Sequence, residues 1–345
     1  MHRFTFHFLL LFLITIVQAQ KVSFTPILED DISIRAIEIY DSKVFYVGTH
    51  SKFGYVNLKN LSDKKQIRLS EDELQFRTLA QNKNEFYTIN IESPAQFFAI
   101  DKRTLSTVIF HQDSLKTAFY NALHFIDSNR AVSFSDPDQA HKLRIKIIDS
   151  SQKSVTDLSD LSSSKRITFL AEGEAAFAAS NTNFASFGKY VWLATGGMKS
   201  RIITIDTTNM NSEIFDTPIV QGSSSKGIYS IDFYDENFGI AVGGDYTLQN
   251  ENINTIATTK DGGKTWQIQA SGNNAGYATC VRFRPNSKGK EIVAIGDQHI
   301  SYSKDYGKTW TKISDEKNLY TFQWLNENTI LLAGKNRIVK MDIRF

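Results

Sequence analysis

One cysteine, Cys280, stands in 345 residues, so no intramolecular disulfide can form and stability must come from packing in any redox compartment. Prolines number five, and none interrupts the middle of a strong strand-like run. Neither sign of charge dominates: 39 Lys and Arg stand against 37 Asp and Glu, for a net +2. That balance gives no support to nucleic-acid binding or to a polybasic membrane contact. No Gly-x-Gly-x-x-Gly follows a strand, no Cys-x-x-Cys occurs, and no cluster has metal-ligand spacing, so neither cofactor nor metal is expected.

Long hydrophobic runs are scarce too. The only one, Phe4 to Val17 behind Met1-His2-Arg3, is short for a spanning helix and has the length of a secretory h-region. Val17-Gln18-Ala19 puts small residues at −3 and −1, predicting cleavage between Ala19 and Gln20. No cysteine follows to carry a lipid. The expectation is a signal peptide over residues 1–19 and a secreted or periplasmic mature chain, 20–345, forming one domain without a membrane span.

Strand signals fill what remains. Lys43-Val-Phe-Tyr-Val-Gly48, Arg144-Ile-Lys-Ile-Ile148 and Arg201-Ile-Ile-Thr-Ile205 are rich in β-branched and aromatic residues and bounded by turn formers. Beyond residue 19 no sustained 3.6-residue apolar stripe argues for a helix.

Two stretches near the C-terminus repeat one pattern, Ser/Thr-x-Asp-x-Gly-x-Thr-Trp, at 259–266 and 303–310, with Trp266 and Trp310 about 44 residues apart. Asp261 and Asp305 suit a tight turn whose backbone they can bond. Gly263 and Gly307 can take positive φ, Thr265 and Thr309 follow, and the tryptophans fall on the outgoing strand. These eight residues are read as structural. Degenerate hairpins around Asp101, Asp149 and Asp206 keep the aspartate and lose the glycine and tryptophan.

Inner-strand candidates precede each hairpin: Arg35–Ile39, Arg77–Leu79, Tyr120–Phe125, Glu174–Phe177, Ile228–Phe233, Ala278–Phe283 and Tyr320–Trp324. Seven units of roughly 47 residues give an all-β propeller of four-stranded antiparallel blades. Six or eight blades also fit, because Asp149 to Gly188 is irregular. The last unit lacks a fourth strand that Val22–Leu28 could supply, closing the ring with both termini in one blade.

The order inner strand, Gly-Ile-Ala-Val-Gly-Gly (239–244), Asp-box hairpin resembles the BNR/Asp-box propellers. More narrowly it resembles the photosystem II stability/assembly factor type and its non-photosynthetic bacterial relatives. Ser33–Ala36, Phe76–Leu79, Gly173–Ser180, Gly196-Gly197 with Arg201, Gly227–Ser230 and Gly243–Tyr246 carry that likeness. The resemblance implies a propeller that works as a binding or assembly scaffold. Asp boxes also occur in sialidases, a more distant likeness, and mark a fold better than an activity. Relatives labelled oxidoreductases offer a third, weaker reading, for which no cofactor motif is present.

In a propeller the inner-strand starts and the loops between second and third strands share one face. Arg35, Arg77, Asn121, Glu174, Tyr229 and Tyr320 are read at strand starts. His50, Ser93, Asp136, Asp138, Arg201, Asp245, Tyr246 and Asp297 are read in the loops. Arg35, Arg77, Asp136, Glu174, Arg201, Asp245 and Tyr246 form the candidate ligand set, for a protein partner or a small anionic or carbohydrate ligand. His124 and Cys280 read as packed strand residues, Lys264 and Lys308 as solvated hairpin tips.

The leading expectation is an exported, non-catalytic, monomeric scaffold that holds its partner on this charged face. The alternative is a sialidase-type glycoside hydrolase, with Asp136 as acid and Tyr246 with Glu174 as a nucleophile pair. Against it, no Phe/Tyr-Arg-Ile-Pro opens the first blade, and Phe283-Arg284-Pro285 comes far too late.

Overall fold

Alternating β-branched and aromatic residues between turn formers build an all-β ring of antiparallel sheets in the computed structural model, which describes residues 21–163 and 168–344. The signal-peptide reading on 1–19 lies outside the described residues. Among the described residues one four-residue helix occurs, Leu158–Leu161, and no helix is long and apolar enough to cross a membrane.

The expected seven blades are corrected to six sheets. Hydrogen bonding runs without a break through Leu319–Asn326, Thr329–Arg344, Lys21–Tyr40, Lys43–Gly48, Lys52–Asn57 and Asn60–Arg68. The physical reason is strand length. Lys21–Tyr40 pairs through Lys21–Ser33 with the C-terminal strand and through Ile34–Tyr40 with Lys43–Gly48. One strand therefore serves two sequence units, and the first and last units share a sheet. Its halves fold on one another, with Leu331, Ala333 and Ile338 packed against Ile37, Val44 and Tyr46.

The second sheet holds Ala80–Gln81, Glu85–Ile89, Ala95–Asp101 and Thr107–Asp113. The third holds Tyr120–Phe125, Arg130–Ser135, Arg144–Asp149 and Ser154–Asp157. The fourth comprises Phe184–Phe187, Tyr190–Ala194, Arg201–Asp206 and Asn211–Asp216. The fifth comprises Lys226–Phe233, Gly239–Asp245, Ile256–Thr259 and Gln267–Ile268, extended at its inner edge by Gly196–Gly197 and Glu174–Ala175. The sixth is Cys280–Phe283, Ile292–Gly296, His299–Ser303 and Thr311–Ser314.

Apolar side chains alternate between the two faces of each sheet, so every interface between neighbours is a core layer. Phe45, Phe53 and Phe86 meet between the first and second sheets. Trp192 stacks on Phe233 between the fourth and fifth, centroids 3.7 Å apart and planes 6° apart. Burying aromatics of this size contributes several kcal/mol each, about 3 to 5 by truncation.

Two expected inner strands are misplaced: Arg77–Leu79 lies just ahead of the strand that forms, Ala80–Gln81, and the other is further off. Glu174–Phe177 does not start the fourth sheet; that role falls to Phe184–Phe187, about ten residues on. Glu174 and Ala175 instead pair with Gly197 and Gly196. Gly197, at φ +94°, lies so close to the Gly173 carbonyl that a Cβ would sit 2.2 Å from it. Only glycine permits that approach. The alanine-rich segment that follows is free to leave the sheet and enter the ring.

Candidate functional site

Residues 177–183 cross the middle of the ring and tie its sheets together. Asn181 donates through Nδ2 to the Leu79 carbonyl at 2.9 Å and accepts the Leu123 N–H at 3.0 Å, while its own carbonyl meets His124 Nε2. The Ser180 hydroxyl donates to the Thr279 carbonyl, and Thr321 Oγ1 donates to the Ser180 carbonyl. Thr182 shares a hydrogen bond with Ser230. A short polar segment is therefore held by inner strands of five sheets, and it plugs the channel. Asn181 takes φ +57°, a conformation asparagine tolerates better than most residues.

Arg35 and Arg77 reach the plug from the first two inner-strand units. Arg35 Nη1 donates to the Ala179 carbonyl at 2.8 Å, and Arg77 Nη1 to the Ala178 carbonyl at 3.4 Å. Arg35 also lies over the Tyr320 ring, 4.2 Å from its centroid, a cation–π contact. Burial, then the like charge of Arg35, pulls the Arg77 guanidinium down to about 10. Glu92 and Asp297 stand near enough to be felt by Arg77 and Arg35 respectively. Yet among the described residues neither arginine forms a salt bridge. Their partners are carbonyl oxygens and the Gln75 side chain.

Tyrosines and carboxylates complete the mouth around this pair. Tyr229 stacks flat on Phe177 at 4.0 Å and meets Tyr277 edge-on at 4.8 Å. Burial, and then neighbouring negative groups, raises both phenols. Asp297 is pushed up by burial against the pull of Arg35, and accepts Gln249 Nε2 at 3.2 Å. Asp297 Oδ1 and Gln249 Oε1 are buried without partners. Tyr246 is half exposed beside Tyr229, whereas Asp245 is buried and caps its own turn through the Thr247 N–H and hydroxyl.

Glu174 and Arg201 sit together, and they use each other. Glu174 is 1% exposed, and Arg201 Nε donates to its two oxygens at 2.9 and 3.1 Å, with Nη2 adding a third contact. Thr195 Oγ1 at 2.6 Å and the Ala171 N–H at 2.8 Å fill the remaining lone pairs. A carboxylate so occupied has none left for a ligand. Asp136 stands by the same open depression of about 700 Å³ as Glu174 and Glu92. Burial pushes its carboxyl up to about 6, against the Asn121 amide at 2.7 Å and the Ala176 N–H. Asp138 bonds the N–H groups of Ala140 and Lys142 and shapes its loop.

Other candidates fall outside this group. His50 pairs with Glu73 at 2.7 Å near the rim. His124 stacks on Phe184, and burial lowers it to about 4. Cys280 is fully buried, which raises its thiol. Among the described residues no three His, Cys, Asp or Glu side chains are placed to hold a metal. The hairpins at 259–266 and 303–310 lie at the opposite end of the strands from Arg35. In each the aspartate accepts the threonine N–H and hydroxyl, Asp261 from Thr265 and Asp305 from Thr309. The indole N–H of Trp266 or Trp310 closes on the carbonyl of Gly263 or Gly307. Tyr277, Gln249 and the plug escaped sequence reasoning; the alanine run 175–179 and the lone Asn181 were the signals present.

No protein-family model matches the chain, and no curated protein matches its sequence. Solved structures do share the fold. YCF48 bound to a D1 peptide superposes with a TM-score of 0.65 at 12% identity, over 94% of this chain and 97% of that one. The RRP9 WD40 repeats give 0.65 at 9% identity over 93% and 97%, and U3-55K gives 0.64 at 10% over 92% and 98%. At such identities the likeness is one of fold: a β-propeller.

Proposed function

We propose that this chain is an exported, non-catalytic binding propeller whose plugged channel mouth captures an anionic group of a protein partner on Arg35 and Arg77. One observation carries the reading: two guanidiniums converge at the mouth with carbonyl oxygens, and no carboxylate, as direct partners. Placing like charges together under partial burial costs free energy that an incoming carboxylate returns. The exposed Tyr246 supplies flat apolar area beside the charge, as binding surfaces do. A peptide ligand is in keeping with YCF48, a propeller of this shape bound to a D1 peptide, and with the Asp-box sequence likeness to assembly factors.

The mature chain, immobilised, should capture its partner from the exported fraction of the source cells. Arg35→Ala with Arg77→Ala should lose that capture while the variant stays folded by circular dichroism; retained capture would overturn the reading. A fluorogenic sialoside separates the glycosidase alternative. Turnover by the purified chain would favour the enzyme, and the saturation of Glu174 by Arg201 argues for none.

A further inference from the structure

The two Asp-box hairpins occupy equivalent places but leave different surroundings. The hairpin at 303–310 packs on the fifth sheet, where Ile240 pairs with Thr258 and both lie against Gly307. There the Tyr306 ring meets Phe238 at 5.9 Å, and Gln269 Nε2 donates to Thr258 Oγ1 at 2.9 Å. The hairpin at 259–266 packs on the fourth sheet, where Trp192 pairs with Thr204 and Gly263 lies against Trp192. Here the place of Tyr306 is taken by Gly262, which has no side chain, and Thr204 Oγ1 is buried without a partner.

A groove of about 460 Å³ results, within the range of small-ligand sites. It lies between the fourth and fifth sheets, on the face opposite Arg35. Tyr190 and Phe215, both partly exposed, form its apolar wall, with the buried Trp192 and the unpaired Thr204 hydroxyl beneath it. Carboxylates dominate the rest. Asp206 is taken by Lys189 at 2.9 Å, and Asp261 serves its own turn. Glu213 and Glu236 are exposed; among the described residues they have no side-chain hydrogen bond or ion pair, and Lys264 is the one cation in the lining.

We infer that this groove binds a basic side chain, lysine or arginine, presented by a partner polypeptide. The aliphatic stem lies along Tyr190 and Phe215, and the charged head goes to Glu213 and Glu236. The sign of the lining repels phosphate and carboxylate ligands. The site is distinct from the arginine mouth and of opposite charge.

The test is calorimetric titration of the mature chain with acetyl-Lys-Arg-Lys-amide, acetyl-Glu-Asp-Glu-amide and a neutral trisaccharide. Binding of the basic peptide is expected, falling about tenfold or more in Glu213→Gln/Glu236→Gln and weakening with salt. Gly262→Tyr should close the groove as Tyr306 does in the other hairpin; Tyr306 itself takes φ +64°, close to the +74° of Gly262. Arg35→Ala/Arg77→Ala should leave the affinity unchanged. Failure of the basic peptide to bind, equal binding by the double glutamine variant at unchanged melting temperature, or preference for the acidic peptide or sugar would each overturn the inference.

Discussion

Arg201 grips Glu174 through Nε and Nη2, the carboxylate side chain fully buried and the arginine side chain 17% exposed. Removing one member strands the other charge away from water. Glu174→Ala or Arg201→Ala should each cost about 3–5 kcal/mol of unfolding free energy, measured by urea denaturation. The pair should also couple strongly in a double-mutant cycle. Additive, small losses would mean that the two groups are independently solvated and available.

Stability should carry a pH signature from Glu38, on the first inner strand within the field of Arg282. Burial pushes its carboxyl up to about 7 from 4.5, despite the amides of Gln81 and Gln323, Arg282 and Lys102. The unfolded chain gives up this proton near pH 4.5, while the folded chain keeps it to about 7. Glu38 thus favours the fold at low pH, and that contribution is lost as pH rises between those values. His124, lowered to about 4 from 6.5 by burial, acts oppositely: its contribution is present above 6.5 and lost as pH falls towards 4. Melting temperatures of Glu38→Gln relative to wild type should rise from pH 5 to pH 8. Parallel profiles would contradict the assignment.

Ring closure rests on the pairing of Lys21–Ser33 with Lys335–Arg344. Starting the chain at Asp30 removes Val22 and Phe24 from the core layer and bares the C-terminal strand edge. Such a chain should lose several kcal/mol and self-associate in size-exclusion chromatography. A monomer of unchanged melting temperature would show that closure lies elsewhere.

The hairpin aspartates should matter for stability. Asp261→Ala or Asp305→Ala removes acceptors for the following threonine's N–H and hydroxyl and should cost about 1–3 kcal/mol. Lys308→Ala at the neighbouring tip should stay within about 0.5 kcal/mol. Thermal denaturation of the three variants checks both.

What the sequence disclosed was local, and what it hid was not. The hairpins at 259–266 and 303–310 and the strands around Val44, Ile145 and Ile203 were legible because turn chemistry and alternation act over a few residues. Even the weakened turns at Asp101, Asp149 and Asp206 keep an aspartate that accepts N–H groups two or three residues on. The number of sheets was not legible. Whether Lys21–Tyr40 belongs to one sheet or two depends on hydrogen bonds to Thr329–Arg344, some three hundred residues away.

The fourth inner strand was not legible for a related reason. Gly173-Glu-Ala-Ala-Phe has no alternation to place it, and its position is decided by the glycine contact with Gly197 and by polar bonds from other sheets. Arg35 and Arg77 were legible as rim residues, since Arg35 falls where pairing with Lys43–Gly48 begins and Arg77 falls just ahead of Ala80–Gln81. That Arg201 is consumed by Glu174 was not, because 27 residues of chain separate them.

The most direct test of the arginine mouth is calorimetric titration with one short peptide in two forms, free C-terminal carboxylate and C-terminal amide. Arg35 and Arg77 predict that the carboxylate form binds at least about tenfold tighter, and that the preference vanishes in Arg35→Ala/Arg77→Ala. Equal affinity for the two forms, or a preference that survives the double substitution, would contradict the account.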